Sequence, residues 1–400
     1  LIERVPDFRL FDEYATMHAN IRDLLTHRTG LSPHYDLVWL LSPTSREESF
    51  KRLKYLEPSS GFRDQFLYSN LAYLAAGTAV ERLSGMSWEV IVEQRILLPL
   101  GMDHTGFTVP DSMLVGDVAL PYVLVDGEPV QVPISKSVVF ESVEEMGPSG
   151  GINSNVEDMA RWVLLHLGQG SFRGNRLVSE AMLAEMHGPQ MAIRSHYCRI
   201  LAQADAYGLG WYVGDYRGHR VVSHGGNIPG FSAMVSFMPD LDVGVVVLSN
   251  SLDLLGHVIS REVYDRFISG ERASDWNDYF RAFYSQVEGA NANARHIPRP
   301  DPEVPPPLAL SSYAGEYRHL AFGPVKVEVG NGEMVLEFDS GLRSHLHHVR
   351  FNEFKGTTSE FYVPSIYVAF EVGSQGAVEA LSMSVQPGTA DFVFRRVENP

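Results

Sequence analysis

Six prolines, Pro298, Pro300, Pro302, Pro305, Pro306 and Pro307, crowd into ten residues about three-quarters of the way along the chain. Proline fixes φ and removes a backbone donor, so spacing this dense excludes helix and central strand and reads as a stiff, extended linker. The chain therefore divides into a large unit, a linker and a smaller unit, with boundaries expected at 1–280, 281–308 and 309–400. A length of 400 residues at 44% hydrophobic content is enough to bury a substantial core.

The two units differ in pattern. Before the prolines, helix-like and strand-like segments mix. Ile21 to Leu31 reads as a short helix stopped by Gly30. From Leu71 to Ser84, the residues Leu71, Leu74, Ala75, Thr78 and Leu83 approximate one helical face, with Gly85 as the stop and Ser69 or Asn70 as the N-cap. Ser154-Asn155-Val156-Glu157 reads as a capping box before a helix from Met159 to Leu167, closed by Gly168. From Tyr207 to Asn250 short β-rich runs predict an antiparallel meander, with His224-Gly225-Gly226 at the end of one strand. After Tyr313 no helical pattern recurs. Val325 to Val329 alternates strictly, and Met334 to Phe338 and Phe392 to Val397 are strand-like, which predicts a separate all-β barrel.

Composition removes several function classes. Forty-nine acids against 32 bases give a net charge of -17, which disfavours a nucleic-acid or anionic-membrane partner. No apolar run approaches the roughly 20 residues that span a bilayer. Cys198 is the only cysteine, so neither an intrachain disulfide nor a thiolate metal cluster is available. The first residue is Leu1, and Leu1 to Pro6 reads as the middle of a chain. A processed or truncated N-terminus is expected, and localisation and oligomeric state are not legible.

Two tripeptides carry chemistry. Tyr68-Ser69-Asn70 stands before a helical run, and His224-Gly225-Gly226 lies among the strands. A phenol is a poor base unless cations favour its anion, and a protonated His224 could assist. Asn70 offers an amide donor and acceptor for a substrate carbonyl. Gly225 and Gly226 leave room along a strand edge, where the N–H of Asn227 could stabilise an oxyanion. Alone, each tripeptide reads better as a tyrosine beside an N-cap or as a turn. Together, in this order, they resemble the second and third motifs of the penicillin-recognising serine hydrolases, the class C β-lactamases, D-aminopeptidases and related esterases. The segment Ile21 to Leu31, Pro99-Leu100-Gly101-Met102, Gly147 to Gly151 with the helix after it, and the strand-like Tyr207-Gly208-Leu209-Gly210-Trp211 extend the likeness over residues 1 to 270.

That resemblance implies a β-lactamase-like α/β (α+β) fold: an antiparallel sheet flanked by helices, a helical lobe, and a C-terminal lipocalin-like barrel. It implies a serine hydrolase of small amides or esters, without cofactor or metal, acting through an acyl-enzyme. Tyr68 would be the general base, Asn70 the substrate contact, and His224, Gly225, Gly226 and Asn227 the third-motif wall. The family takes its nucleophile from Ser-x-x-Lys. Lys51, Lys54, Lys136, Lys326 and Lys355 are preceded at that spacing by Glu48, Lys51, Pro133, Gly323 and Asn352, so these residues contain no such motif. The nucleophile is expected upstream of Leu1, and the chain alone is expected to be inactive. The alternative is a non-catalytic binding or scaffolding protein on the same fold.

Other candidates are weaker. Gly147-Pro148-Ser149-Gly150-Gly151 matches the Gly-x-Ser-x-Gly nucleophile elbow, but the acidic Glu141 to Met146 is a poor buried strand. His345, His347 and His348 lack nearby acid or cysteine ligands in sequence, so a solvated strand is expected. His27 and His34 read as packing or backbone hydrogen-bonding residues.

Overall fold

The computed structural model describes residues 1–31, 42, 45–107, 117–125, 127–133, 146–195, 199–200, 204–294, 304–358, 365–384 and 391–397, without the side chains of 287–294. Cys198, His34, most of the acidic stretch before Met146 and the first three clustered prolines lie outside these residues. Helix α1 covers Ile21–Leu25 and is closed at its start by a reciprocal capping box between Asn20 and Asp23. It is shorter than the sequence suggests. It ends at Leu25 because His27 adopts a left-handed backbone (φ 53°), which no helix can continue.

Helix α2, Asn70–Ser84, is the buried axis of the helical lobe. Its residues Leu71, Ala72 and Leu74 to Ala79 are buried around much of its circumference, as in a helix enclosed by protein. Leu83, expected on the buried face, is 60% exposed. Gly85 ends the helix in the left-handed conformation at φ 72°. Ser69 holds the N-cap position but its side chain caps nothing. Against α2 lies a four-residue helical turn, Gly147–Gly150, and a Cβ built on Gly77 would fall 2.3 Å from Pro148 Cγ. The proline ring cannot swing aside. Gly77→Ala is therefore expected to cost about 1–3 kcal/mol, the usual scale for overpacking. Urea unfolding would read this as a lower midpoint, and an unchanged midpoint would mean the two segments do not touch in solution.

Helix α3 runs from Val156 to Leu167. Its cap is Asn155, which accepts from the Asp158 N–H, rather than Ser154, whose hydroxyl pairs with Thr105. Beyond it stands a six-stranded antiparallel sheet: β1 (Met191–Ala192), β2 (Ala206–Tyr207), β3 (Tyr212–Tyr216), β4 (His219–Ile228), β5 (Phe231–Met238) and β6 (Val243–Ser249), in the order β6-β5-β4-β3-β2-β1. Alternation along the strands feeds both faces. Val222, Val235 and Phe237 pack with Val163 of α3 on one side. Val221, Met238 and Val245 pack on the other with Tyr264 of α4 (Leu255–Ser269) and Trp276 and Phe280 of α5 (Trp276–Ala294).

The C-terminal unit is a separate closed barrel of eight antiparallel strands, β7 (Gly315–His319) through β8 (Gly323–Gly330), β9 (Glu333–Phe338), β10 (Arg343–Arg350), β11 (Glu353–Thr358), β12 (Ile366–Val372), β13 (Val378–Ser384) and β14 (Phe392–Arg396). Tyr317↔Arg396 closes the ring, which leaves no free sheet edge. Tyr317, Leu336, Phe338, Phe354, Phe370 and Phe394 are buried in it. Its apolar core is continuous with that of the helical lobe, and Arg52 donates to the Ala321 carbonyl at 3.1 Å across the junction. His345 and His347 are exposed on β10; His347 pairs with Thr357 and His345 lies 3.9 Å from Glu333.

Candidate active site

His27 organises one side of the site. Its carbonyl accepts from Leu67 N–H at 2.8 Å and its Nδ1 accepts from Ser69 N–H at 3.0 Å, so the residues on either side of Tyr68 are both tied to it. Its ring lies 4.3 Å from that of Tyr68, centroid to centroid, and packs also on Phe66, Tyr73 and Tyr207. Burial holds this imidazole neutral, its pKa well below the ordinary value. Because Nδ1 accepts, the ring proton sits on Nε2. Among the described residues, His27 Nε2 and Ser69 Oγ are buried without a hydrogen-bond partner. Asn70 follows at the first position of α2.

The sheet supplies the other side. His224, Gly225 and Gly226 lie inside β4, not at its end, because the strand runs on to Ile228 and is paired with β5 from Val222 to Ile228. On the β3 side pairing stops at Ser223↔Tyr212, so among the described residues no strand pairs His224 to Ile228 along that edge. Two tight turns fix which groups face it. A two-residue turn closes on a hydrogen-bonded pair, here Ile228 with Phe231 and Tyr216 with His219. Antiparallel alternation counted from either turn directs the N–H and C=O of Gly225 and Asn227 toward that edge. A side chain at position 226 would meet nothing within 4 Å, so there is clear space beside His224.

The Tyr68 and His224 rings stand 6.1 Å apart. The fold thus brings both tripeptides to one cleft between the helical lobe and the sheet. His224 is pushed down to about 4 by burial among Tyr68, Tyr207 and Tyr212. It is neutral at pH 7, which corrects the expectation that it could supply a cation to Tyr68. Ser149 is not an elbow nucleophile: it sits in the helical turn Gly147–Gly150 and donates to the Met146 carbonyl at 2.9 Å.

Two neighbours escaped the sequence reading. Tyr207 is fully buried with its phenol oxygen 3.0 Å from His224 Nε2, and Tyr212 packs its ring 5.4 Å from that of His224. Tyr207 ends β2 and Tyr212 begins β3, on either side of the Gly208 to Trp211 stretch that the sequence reads as strand. That stretch is instead the turn between β2 and β3, and Gly208 passes so close to the Met186 carbonyl that a Cβ would lie 2.2 Å from it.

A helical lobe packed beside an antiparallel sheet with helices on both faces is a β-lactamase-like architecture. The chain belongs to the beta-lactamase family, whose sequence pattern it matches over residues 3–268. Residues 299–396 match a domain of unknown function, DUF3471. Over 335 residues the chain is 28% identical to unguisins hydrolase ungD' of Aspergillus campestris (strain IBT 28561), covering 79% of this chain and 60% of that protein. It is 26% identical over 404 residues to unguisins hydrolase ungD of Aspergillus violaceofuscus (strain CBS 115571), covering 94% and 69%. The chain thus spans less than two thirds of the first of these relatives. The fold is shared with D-amino acid amidase from Ochrobactrum anthropi SV3 complexed with D-phenylalanine, at a TM-score of 0.50 and 19% identity, over 63% of this chain and 70% of that one.

Proposed function

We propose that these residues form the base and substrate-holding parts of a serine hydrolase of small amides or esters that works through an acyl-enzyme. Tyr68 takes the nucleophile's proton, Asn70 holds the substrate amide, and the β4 edge at His224, Gly225 and Gly226 receives the substrate backbone. The Asn227 N–H is one oxyanion donor. The serine and lysine come from a Ser-x-x-Lys helix outside these 400 residues. The observation that carries the reading is the 6.1 Å approach of Tyr68 to His224 beside a strand edge that no described strand pairs. The hydrolase activity named for the two Aspergillus relatives supports it. The absence of Ser-x-x-Lys keeps a second reading, a non-catalytic binding or scaffolding protein.

The test is covalent. A protein joining these residues to an upstream Ser-x-x-Lys helix is expected to turn over activated esters and to be labelled by a fluorophosphonate at that serine. The 400-residue chain alone is expected to stay unlabelled. A probe mapped to Ser149 or Ser69 overturns the assignment, and an extended protein that neither labels nor turns over favours the binding reading.

A further inference from the structure

We propose that Tyr207 is a positioning residue that locks the His224 imidazole in one orientation and one tautomer. The role deepens the hydrolase reading and rests on His224 being part of that site's wall. A histidine ring not held by a specific bond can turn over about its χ2 axis and exchange the places of its two nitrogens. At His224 the Tyr207 phenol engages Nε2 at 3.0 Å while the ring also bonds to the Gly225 main chain, and the two contacts together remove that freedom.

Tyr207 is itself immobilised. It has no exposed surface, and its ring packs on His27 at 4.9 Å, Phe66 at 5.2 Å and Tyr212 at 4.9 Å. Its strand β2 is two residues long and ends where Gly208 passes the Met186 carbonyl, so the phenol enters the sheet at a fixed level. Ser223, the residue before His224, is the last β4 residue paired with β3. His224 therefore stands where main-chain pairing with β3 has ended, and the phenol holds its ring there. Tyr73, anchored by donation to the Leu25 carbonyl at 2.8 Å, stands beside Tyr207 and links this lock to the end of α1.

Two measurements test the role, and neither needs turnover. In the ¹⁵N spectrum of the imidazoles, His224 in the 400-residue chain is expected to show a single tautomer at pH 7. A wild-type ring that averages both tautomers overturns the proposal whether or not any variant folds. In Tyr207→Phe, which keeps the ring packing, the two His224 nitrogens are expected to move toward averaged shifts. Tyr216→Phe serves as the control, because it loses a buried phenol bond, to Asp265 at 2.6 Å on the opposite face of the sheet. It should destabilise the fold and leave the His224 signals in place. A folded Tyr207→Phe whose His224 spectrum matches wild type reduces Tyr207 to packing and overturns the proposal.

In a protein carrying the serine and lysine, Tyr207→Phe is expected to lower kcat by about tenfold, at the low end of losses from misplaced proton-handling groups, and to leave KM within about twofold. Equal kcat in the two proteins contradicts the role. If the parent has no turnover, the hydrolase reading fails while the spectra still decide the lock.

Discussion

Replacing Tyr68 by phenylalanine, in a protein that joins these residues to a Ser-x-x-Lys helix, is expected to slow acyl transfer by roughly 10²–10⁴-fold, the usual range for losing a general base. The variant deletes one oxygen and leaves the ring, whose contact with His27 and approach to His224 do not depend on the hydroxyl. The Ser69 N–H to His27 bond is a main-chain contact and also survives. Stability should therefore change little, and the loss should fall on kcat more than on KM, because proton removal belongs to the transition state. Since burial keeps His224 neutral at pH 7, the cation that makes the phenol a usable base must come from the Ser-x-x-Lys lysine. The pH profile of kcat/KM should then show no limb from His224 above pH 6. Less than a threefold loss in Tyr68→Phe would assign the base elsewhere.

The parts of this site that were legible in sequence are those whose chemistry is local. Tyr68-Ser69-Asn70 announces itself at the start of an apolar helix, and the alternation of Val221 to Met238 and Val243 to Leu248 gives the meander. The barrel was legible because strict alternation after a proline-rich linker has few other solutions. What sequence left hidden depends on tertiary closure. His27 lies 41 residues before Tyr68, and nothing in its surroundings says that its Nδ1 will meet the Ser69 N–H. Tyr207 reaches His224 only because a turn at Gly208 aims it past the end of β3 pairing. The position of His224 within β4 was misjudged because glycines usually mark strand ends. Here they lie mid-strand, on an edge where pairing with β3 has stopped. Ser154 was taken for the α3 cap because it comes first in the run, but Thr105 holds its hydroxyl and Asn155 caps instead.

Acidification from pH 7 to pH 5 is expected to destabilise the folded chain by several kcal/mol, above the range where carboxylates chiefly titrate. His166 of α3 and His187 are 2% and 6% exposed, and they share a 2.8 Å ring-to-ring hydrogen bond beneath Trp211 and Phe237. Burial pushes them down to about 3 and about 4, and His319 of the barrel to about 4. The unfolded chain titrates its histidines near 6.5. Above that value neither state is protonated, and the stability from burying neutral rings is fully present. As pH falls from 6.5 toward 4, the unfolded state takes up protons that the folded state refuses, so stability is lost over that window. At pH 5 each fully buried ring accounts for about 2 kcal/mol on this scale, and the His166–His187 pair for about 2–4 kcal/mol, since the two share one bond. The carboxylates Asp23 and Asp265 behave differently. Burial pushes them up, but their hydrogen-bond and arginine partners outweigh it and hold them below the usual range. Their contribution is therefore full above the unfolded carboxylate pKa and is lost as pH falls through the folded one. Urea midpoints taken at intervals from pH 7.5 to 4.5 should therefore fall steadily below pH 6.5. His166→Leu combined with His187→Leu should flatten that fall while keeping the neutral-pH fold. A double variant that retains the wild-type slope would show that the protons are taken up elsewhere.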